Sequence, residues 1–355
     1  MVEFTIEDTN LMVPTDDGSQ TVMVRTGGYQ DEYWVEFCPD TRLAEIIKNH
    51  YRSGDVIIAD DFFEHNNDAA WEGRHVIFMT ANEHNKTMDT VIHLISMLPT
   101  TFSKSNRLLI IGGGITQDVG GFLAAIFKRG IPYILIPTTL LAMTDSCIGS
   151  KVCLNLGSKN RLGLFNPPTG VVLSGCELGT LPDEMIRSGL GESLKLALIG
   201  GWGAWDEFCW LLKEWRLMDI VRQSLLIKKA VIEKDEFEKH ERKALNYGHT
   251  IGHAIEACTG FEIPHGIAVL LGIIHVNALF EVPWTSRVHP IIMQMIPEAY
   301  QNRTFDIDEL MRHLSQDKKN RGDQVGFVVL DEPGRCSFRW LPMDQLRQRL
   351  QGQIV

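Results

Sequence analysis

One strand and the turn behind it limit the fold more than any other stretch. Residues 107–111 read RLLII, and the chain runs straight into Gly112-Gly113-Gly114-Ile115-Thr116-Gln117-Asp118 and a segment of helical period. An apolar strand, a glycine turn and a helix place backbone N–H groups and the positive end of a helix dipole where an anion can sit. The spacing departs from the dinucleotide fingerprint. Gln117 stands where a third glycine is expected, and the acidic candidate, Asp60, lies upstream rather than downstream. By itself the turn serves equally as a nucleotide cradle or as a tight connection.

The flanking pattern sets the class. Short apolar runs at 55–59, 75–80, 107–111, 133–136 and 171–173 alternate with helical segments. Such alternation predicts a mostly parallel sheet with helices on its faces. Upstream, 21–25 and 33–37 read as a hairpin around Gly27-Gly28, and 43–51 as a helix. Asp60 follows a strand end, where an acid either holds ribose hydroxyls or caps the next helix. After Leu181-Pro182 almost everything has helical period, apart from a late strand at 325–330. We therefore expect a Rossmann-like α/β domain over 1–178 and an α-helical domain over 179–355.

The second domain carries the chemistry. Residues 242–265 read RKALNYGHTIGHAIEACTGFEIPH. His249 and His253 are four apart and share a helical face. Asn246 joins that face, Arg242 lies one turn back, and His265 follows a turn at Thr259-Gly260. Either this is a metal site ringed by anion-gripping groups or a helix with two surface histidines. Glu192 and Lys195 share a face of the 184–199 helix, a spacing that also suits an ordinary ion pair. Glu192, His249 and His265 make a two-histidine, one-carboxylate set, which suits catalytic zinc with one position left open. Lys151, Lys195, Lys228, Arg242, Lys318 and Lys319 are many cations for a chain of net charge −11. They point to a phosphorylated substrate, with positive charge to spare for a carboxylate. A metal, a nucleotide cradle and an anion pocket together imply redox chemistry on a phosphorylated polyol.

Composition excludes other classes. The negative balance argues against nucleic acid. No apolar run has the length of a membrane span, and residues 1–10 lack a basic-then-apolar leader. Seven scattered cysteines without a C-x-x-C suit free thiols in a reducing cytoplasm.

The segments GGGITQDVGGFLAAIFKRG, PTTLLAMTDSCIGSK, SKNRLG, TLPDEMIRSGLGESLK, LNYGHTIGHAIE, PHGIAV and DKKN, in that order, resemble the 3-dehydroquinate synthase family and the wider sugar phosphate cyclases. The likeness runs over about residues 60–330. It implies an NAD-binding α/β domain followed by a helical metal domain. It implies Glu192, His249 and His265 as ligands of zinc (or cobalt), and Lys151, Asn246, His253 and one of Lys318 or Lys319 as the phosphate grip. Lys228 and Arg242 match positions that hold a substrate carboxylate. Asp145 and Lys195 match groups on substrate hydroxyls. Asp60, Glu83, Lys86, Gly113, Gly114, Asp118, Thr138, Thr139, Lys159 and Asn160 match NAD-site positions. Arg129 resembles an arginine that reaches a partner subunit's site, which implies a homodimer. The implied reaction is oxidation of a ring hydroxyl, loss of phosphate, re-reduction, ring opening and aldol closure, converting 3-deoxy-D-arabino-heptulosonate 7-phosphate to 3-dehydroquinate.

The chain departs from the family pattern beside the site. Ile267 replaces the Glu of H-G-E-A-V, Ser150 replaces a glycine, and Ser158 and Arg161 alter G-K-N-L-I-G. These changes keep open a secondary-metabolite cyclase acting on sedoheptulose 7-phosphate or glucose 6-phosphate. A polyol dehydrogenase with net NADH turnover, as in glycerol dehydrogenases, and a non-catalytic relative are the readings from other classes.

Overall fold

Apolar runs that show no alternation become the middle of a seven-stranded sheet. In spatial order the strands are Thr21–Arg25, Glu32–Phe37, Gly170–Leu173, Tyr133–Pro137, Leu108–Gly112, Val56–Asp60 and His75–Met79. The first two form the expected antiparallel hairpin, and every other neighbouring pair is parallel. Parallel strands are covered on both faces, so both faces must be apolar. Val56–Ala59, Leu108–Ile111 and Tyr133–Ile136 are accordingly buried throughout. Ile57, Ala59, Leu109 and Ile134 pack with Leu43, Ile46 and Ile47 of the helix Leu43–His50. The computed structural model describes residues 2–28, 31–66, 68–316 and 320–354.

This sheet belongs to a unit spanning Asp16–Leu181. Within it a small antiparallel pair, Lys151–Leu154 with Leu162–Phe165, forms in the glycine- and asparagine-rich stretch. The candidate nucleotide residues cluster at one end of the sheet. Asp60 closes its strand, Glu83 and Lys86 follow His75–Met79, Gly113 and Gly114 follow Leu108–Gly112, and Thr138 and Thr139 follow Tyr133–Pro137. That is the carboxyl edge, where open α/β sheets bind ligands.

The second unit holds Pro182–Val355 together with Met1–Thr15. The expected division at 178/179 therefore needs correction for the first fifteen residues. Strands Val2–Ile6 and Thr9–Val13 extend a sheet begun by the hairpin Gln324–Glu332 and Arg335–Pro342. Phe4, Ile6, Leu11 and Val13 are its buried residues at this edge. The physical reason is pairing: Val2–Ile6 runs parallel to Arg335–Pro342. A five-residue alternation does not name so distant a partner. The unit is thus helical with a four-stranded sheet. Its main helices are Asp183–Gly200, Trp202–Lys213, Leu217–Lys234, His249–Cys258 and His265–Leu279.

Candidate active site

Glycine lets the helices that carry the histidines approach closely. A Cβ on Gly191 would sit 2.4 Å from Gly266 O, and one on Gly272 would sit 2.0 Å from Gly248 O. Helices Asp183–Gly200 and His249–Cys258 can therefore both pack tightly on His265–Leu279. Gly248 itself has φ +78° and is the N-cap of His249–Cys258. This corrects one expectation. Arg242 and Asn246 do not continue the histidine helix but lie in a separate 3₁₀ segment, Glu241–Asn246, and the helix starts at His249. The i,i+4 pairing of His249 and His253 stands, with ring centroids 5.1 Å apart.

Glu192 meets both flanking histidines. Its Oε1 lies 3.5 Å from His249 Nε2 and 3.4 Å from His265 Nε2. Two ligand atoms on a tetrahedral zinc are separated by about 3.4 Å, from bonds near 2.1 Å. The carboxylate is fully buried, and neither oxygen makes a hydrogen bond of standard geometry. Lys195 Nζ, also buried, pairs with Oε2 at 2.5 Å. Ligand atoms of His249, His253 and His265 also lie within 4.8 Å of one another. His253 is the most exposed of the three.

The other ring nitrogens are engaged. His249 Nδ1 lies 3.2 Å from Tyr247 O, and His265 Nδ1 lies 3.1 Å from Glu256 Oε2. With Nδ1 held as the donor, Nε2 is the nitrogen turned toward Glu192, and it would serve as a metal ligand once a bound cation displaces any proton there. Burial opposes charge on Glu192, but Lys195 and His265 outweigh it and hold the carboxyl down at about 2. Burial likewise opposes charge on His265, and the Glu256 and Glu192 carboxylates override it, raising the imidazole to about 9. An acidic oxygen and two oriented imidazoles fit a divalent metal. Glu256 was not among the sequence-derived candidates. Its signal was there, since it stands seven residues after His249, two turns along the same helix.

The anion-gripping candidates surround this cluster by element. Lys228 is buried on Leu217–Lys234, which packs against the 3₁₀ segment holding Arg242. Arg242 is buried and its Nη1 donates to Glu236 O. The loop before it is built on Asp235, whose carboxylate accepts from the N–H groups of Lys239, His240 and Arg242. Asn246 Nδ2 donates to Glu238 Oε1 at 2.6 Å, a partner that spacing did not suggest. Lys318 and Lys319 lie outside the described residues.

The sheet unit holds the remaining candidates. Gly113 caps Gly114–Ile126 with no side-chain bond, so first-turn N–H groups stay open to an anion. A Cβ on Gly113 would sit 3.0 Å from Thr139 Cγ2, so a larger residue there would have to push that side chain aside. Thr138 N–H donates to Gly112 O, and Thr139 Oγ1 accepts from Ala142 N–H. Asp60 caps the turn Asp61–Phe63 by accepting from Phe62 N–H at 3.1 Å. Lys86 is buried against Asp118, Nζ to Oδ2 2.6 Å, and also reaches Asn160 Oδ1 at 2.7 Å. Asp145 lies in a π-helical turn, Ala142–Ser146, and Lys151 opens the strand after it. Lys159 is half-buried in the loop before Asn160, and Arg129 is exposed with φ +67°. The open N-terminus, the glycine cradle and the buried lysine fit a dinucleotide.

The chain is similar to known proteins over most of its length. The family description "3-dehydroquinate synthase N-terminal" matches residues 76–188, and "3-dehydroquinate synthase C-terminal" matches 189–320. The 3-dehydroquinate synthase of Thermoanaerobacter sp. (strain X514) is 34% identical over 84% of this chain and 90% of its own length. That of Enterococcus faecalis (strain ATCC 47077 / OG1RF) is 34% identical over 77% of this chain and 79% of its own. Among solved structures, 2-deoxy-scyllo-inosose synthase complexed with carbaglucose-6-phosphate, NAD+ and Co2+ superposes with TM-score 0.77 at 22% identity, covering 94% of this chain and 99% of that one. The valiolone synthase ValA from Streptomyces hygroscopicus subsp. jinggangensis 5008, with NAD+ and Zn2+ bound, gives 0.77 at 22%, over 92% and 98%. A probable glycerol dehydrogenase from Sinorhizobium meliloti 1021 is more distant, with TM-score 0.57 at 13% identity over 89% and 95%. The fold is shared across all three, and on the matched family descriptions and curated relatives the chain belongs to the 3-dehydroquinate synthase family of sugar phosphate cyclases.

Proposed function

We propose that this chain is a 3-dehydroquinate synthase that converts 3-deoxy-D-arabino-heptulosonate 7-phosphate to 3-dehydroquinate and phosphate. The observation that carries the substrate choice is the pair of buried cations, Lys228 and Arg242, on elements packed against each other in the unit of the histidine cluster. A substrate carboxylate would add charge-assisted bonds to these two buried cations.

Glu192, His249 and His265 would hold a divalent metal, which polarises a substrate hydroxyl when bound. His253, Lys151, Asn246 and one of Lys318 or Lys319 grip the phosphate. Asp145 and Lys195 position the ring hydroxyls. Glu256 and the Tyr247 carbonyl keep the two imidazoles oriented. Asp60, Glu83, Lys86, Gly113, Gly114, Asp118, Thr138, Thr139, Lys159 and Asn160 would hold NAD+, which supplies reversible hydride chemistry when bound. Arg129 reaches the site of a second copy, and the enzyme works as a homodimer.

The test is phosphate release from metal-loaded protein with NAD+, offered the heptulosonate phosphate, sedoheptulose 7-phosphate and glucose 6-phosphate in parallel. Release from the first alone, without lasting NADH, is the expected result. Release from either of the others keeps the family and moves the substrate. Arg242→Ala should lower kcat/KM for the heptulosonate by roughly 30-fold or more, the effect of removing one partner of a buried charged contact.

A further inference from the structure

Four of the candidate cofactor residues meet in one polar cluster, and a residue outside that set sits at its centre. Asn155 follows the strand Lys151–Leu154. Its Nδ2 donates to Glu83 O at 3.1 Å and to Glu83 Oε1 at 2.9 Å. Its Oδ1 accepts from the N–H of Asn160 at 2.8 Å. Its own N–H donates to Lys86 O at 2.8 Å. Across the cluster Lys86 Nζ reaches Asn160 Oδ1 and Asp118 Oδ2, and Asp118 Oδ1 accepts from Cys153 N–H at 2.9 Å. Three segments are thereby locked together: 83–86, 153–160 and the first turns of Gly114–Ile126.

We propose that Asn155 is a positioning residue for the dinucleotide, fixing Glu83, Lys86 and Asn160 at working distance without touching the cofactor. The inference rests on the dinucleotide reading of this cluster. The chemistry demands an amide. One side of Asn155 must donate to a carboxylate and a carbonyl, and the other must accept from a backbone N–H. Aspartate lacks the donor and leucine lacks both. Among the described residues, the Asn155 bond is the one side-chain hydrogen bond made by the Glu83 carboxylate. Asn160 sits at φ +52°, a left-handed conformation that asparagine tolerates better than most residues with a Cβ. Asn155 and Lys86 hold it there, one at the backbone and one at the side chain.

The experiment titrates NAD+ by calorimetry into metal-loaded wild type, Asn155→Asp, Glu83→Gln and the double variant. Asn155→Asp sets two carboxylates against each other. Adding Glu83→Gln restores a donor–acceptor pair with the roles exchanged. Asn155→Asp should weaken NAD+ binding about tenfold or more. Bound metal and the sugar-phosphate KM at saturating NAD+ should stay within about twofold, the scatter of an uncoupled distant site. The double variant should return close to the affinity of Glu83→Gln alone. NAD+ affinity unchanged in Asn155→Asp, an equal loss in metal and substrate binding, or a double variant no better than Asn155→Asp overturns the proposal. Wild type that binds no NAD+ overturns the dinucleotide reading itself, an outcome distinct from the other three.

Discussion

Glu256 Oε2 stands 3.1 Å from His265 Nδ1, and both groups are carried by helices that pack face to face. The carboxylate fixes which ring nitrogen bears the proton. Glu256→Gln keeps size and shape but weakens that preference. Metal affinity should fall by about 10- to 100-fold, as for other outer partners of ligating histidines. Competition with a chelator measures it, and unchanged affinity would show that Glu256 only fills space.

Gly272→Ala asks what the close helix approach contributes. The added methyl would lie 2.0 Å from Gly248 O, so the two helices must separate. Overpacking of this kind costs about 1–3 kcal/mol. Thermal unfolding should shift down, and retained metal per chain should drop because His249 moves away from His265. A variant with normal metal content and a lowered midpoint would separate packing from site geometry.

Asp235 gives a pH signature away from the histidines. Burial opposes its charge, but the N–H groups of His240, Lys239 and Arg242 outweigh this and hold the carboxyl below its usual range. The sign follows from that direction. A carboxyl whose folded pKa lies below its unfolded value, about 3.9, adds stability above that value and loses it as pH falls through the folded pKa. Wild type should exceed Asp235→Asn by about 1–3 kcal/mol in urea unfolding near neutrality. The gap should narrow in acid. A gap that stays constant with pH would mean the charge plays no part.

Ser150 has φ +65° and lies beside Lys151, whose exposed side chain is a phosphate candidate. A left-handed conformation costs a residue with a Cβ about 1–2 kcal/mol. Ser150→Gly removes that cost but frees the unfolded chain, so a net gain of about 0.5–1 kcal/mol is expected. Denaturant unfolding reads it. A loss of stability would mean that the serine side chain contributes more than the backbone strain costs.

Much of this arrangement could be read from the residues, and the exceptions have physical causes. Buried strands such as Leu108–Gly112 announce themselves as unbroken apolar runs, and the glycine turn after them has few alternatives. His249 and His253 share a face because helical geometry is local. The need for glycine at 248 has no local signal, because the atoms a Cβ would strike there, Val269 O and Ile273 Cγ1, come from a later helix. The ties from Asn246 to Glu238 and from Asn155 to Glu83 are tertiary or loop contacts with no period to betray them. The place of the two N-terminal strands has no signal for the same reason: alternation shows which side is apolar, not which strand lies next to it.

That last pairing has a consequence for how the chain is made. Glu7 accepts from the N–H of Phe338, 331 positions further along. At about 5–20 residues per second, the ribosome needs roughly a quarter of a minute to a minute to deliver that partner. Asp16–Leu181 has all its own strands by then, so it can fold while the first fifteen residues wait with Phe4 and Ile6 unsheltered. Residues 2–13 thus wait for partners more than three hundred positions downstream, and the growing chain depends on keeping that short apolar edge from pairing elsewhere until 335–342 has emerged.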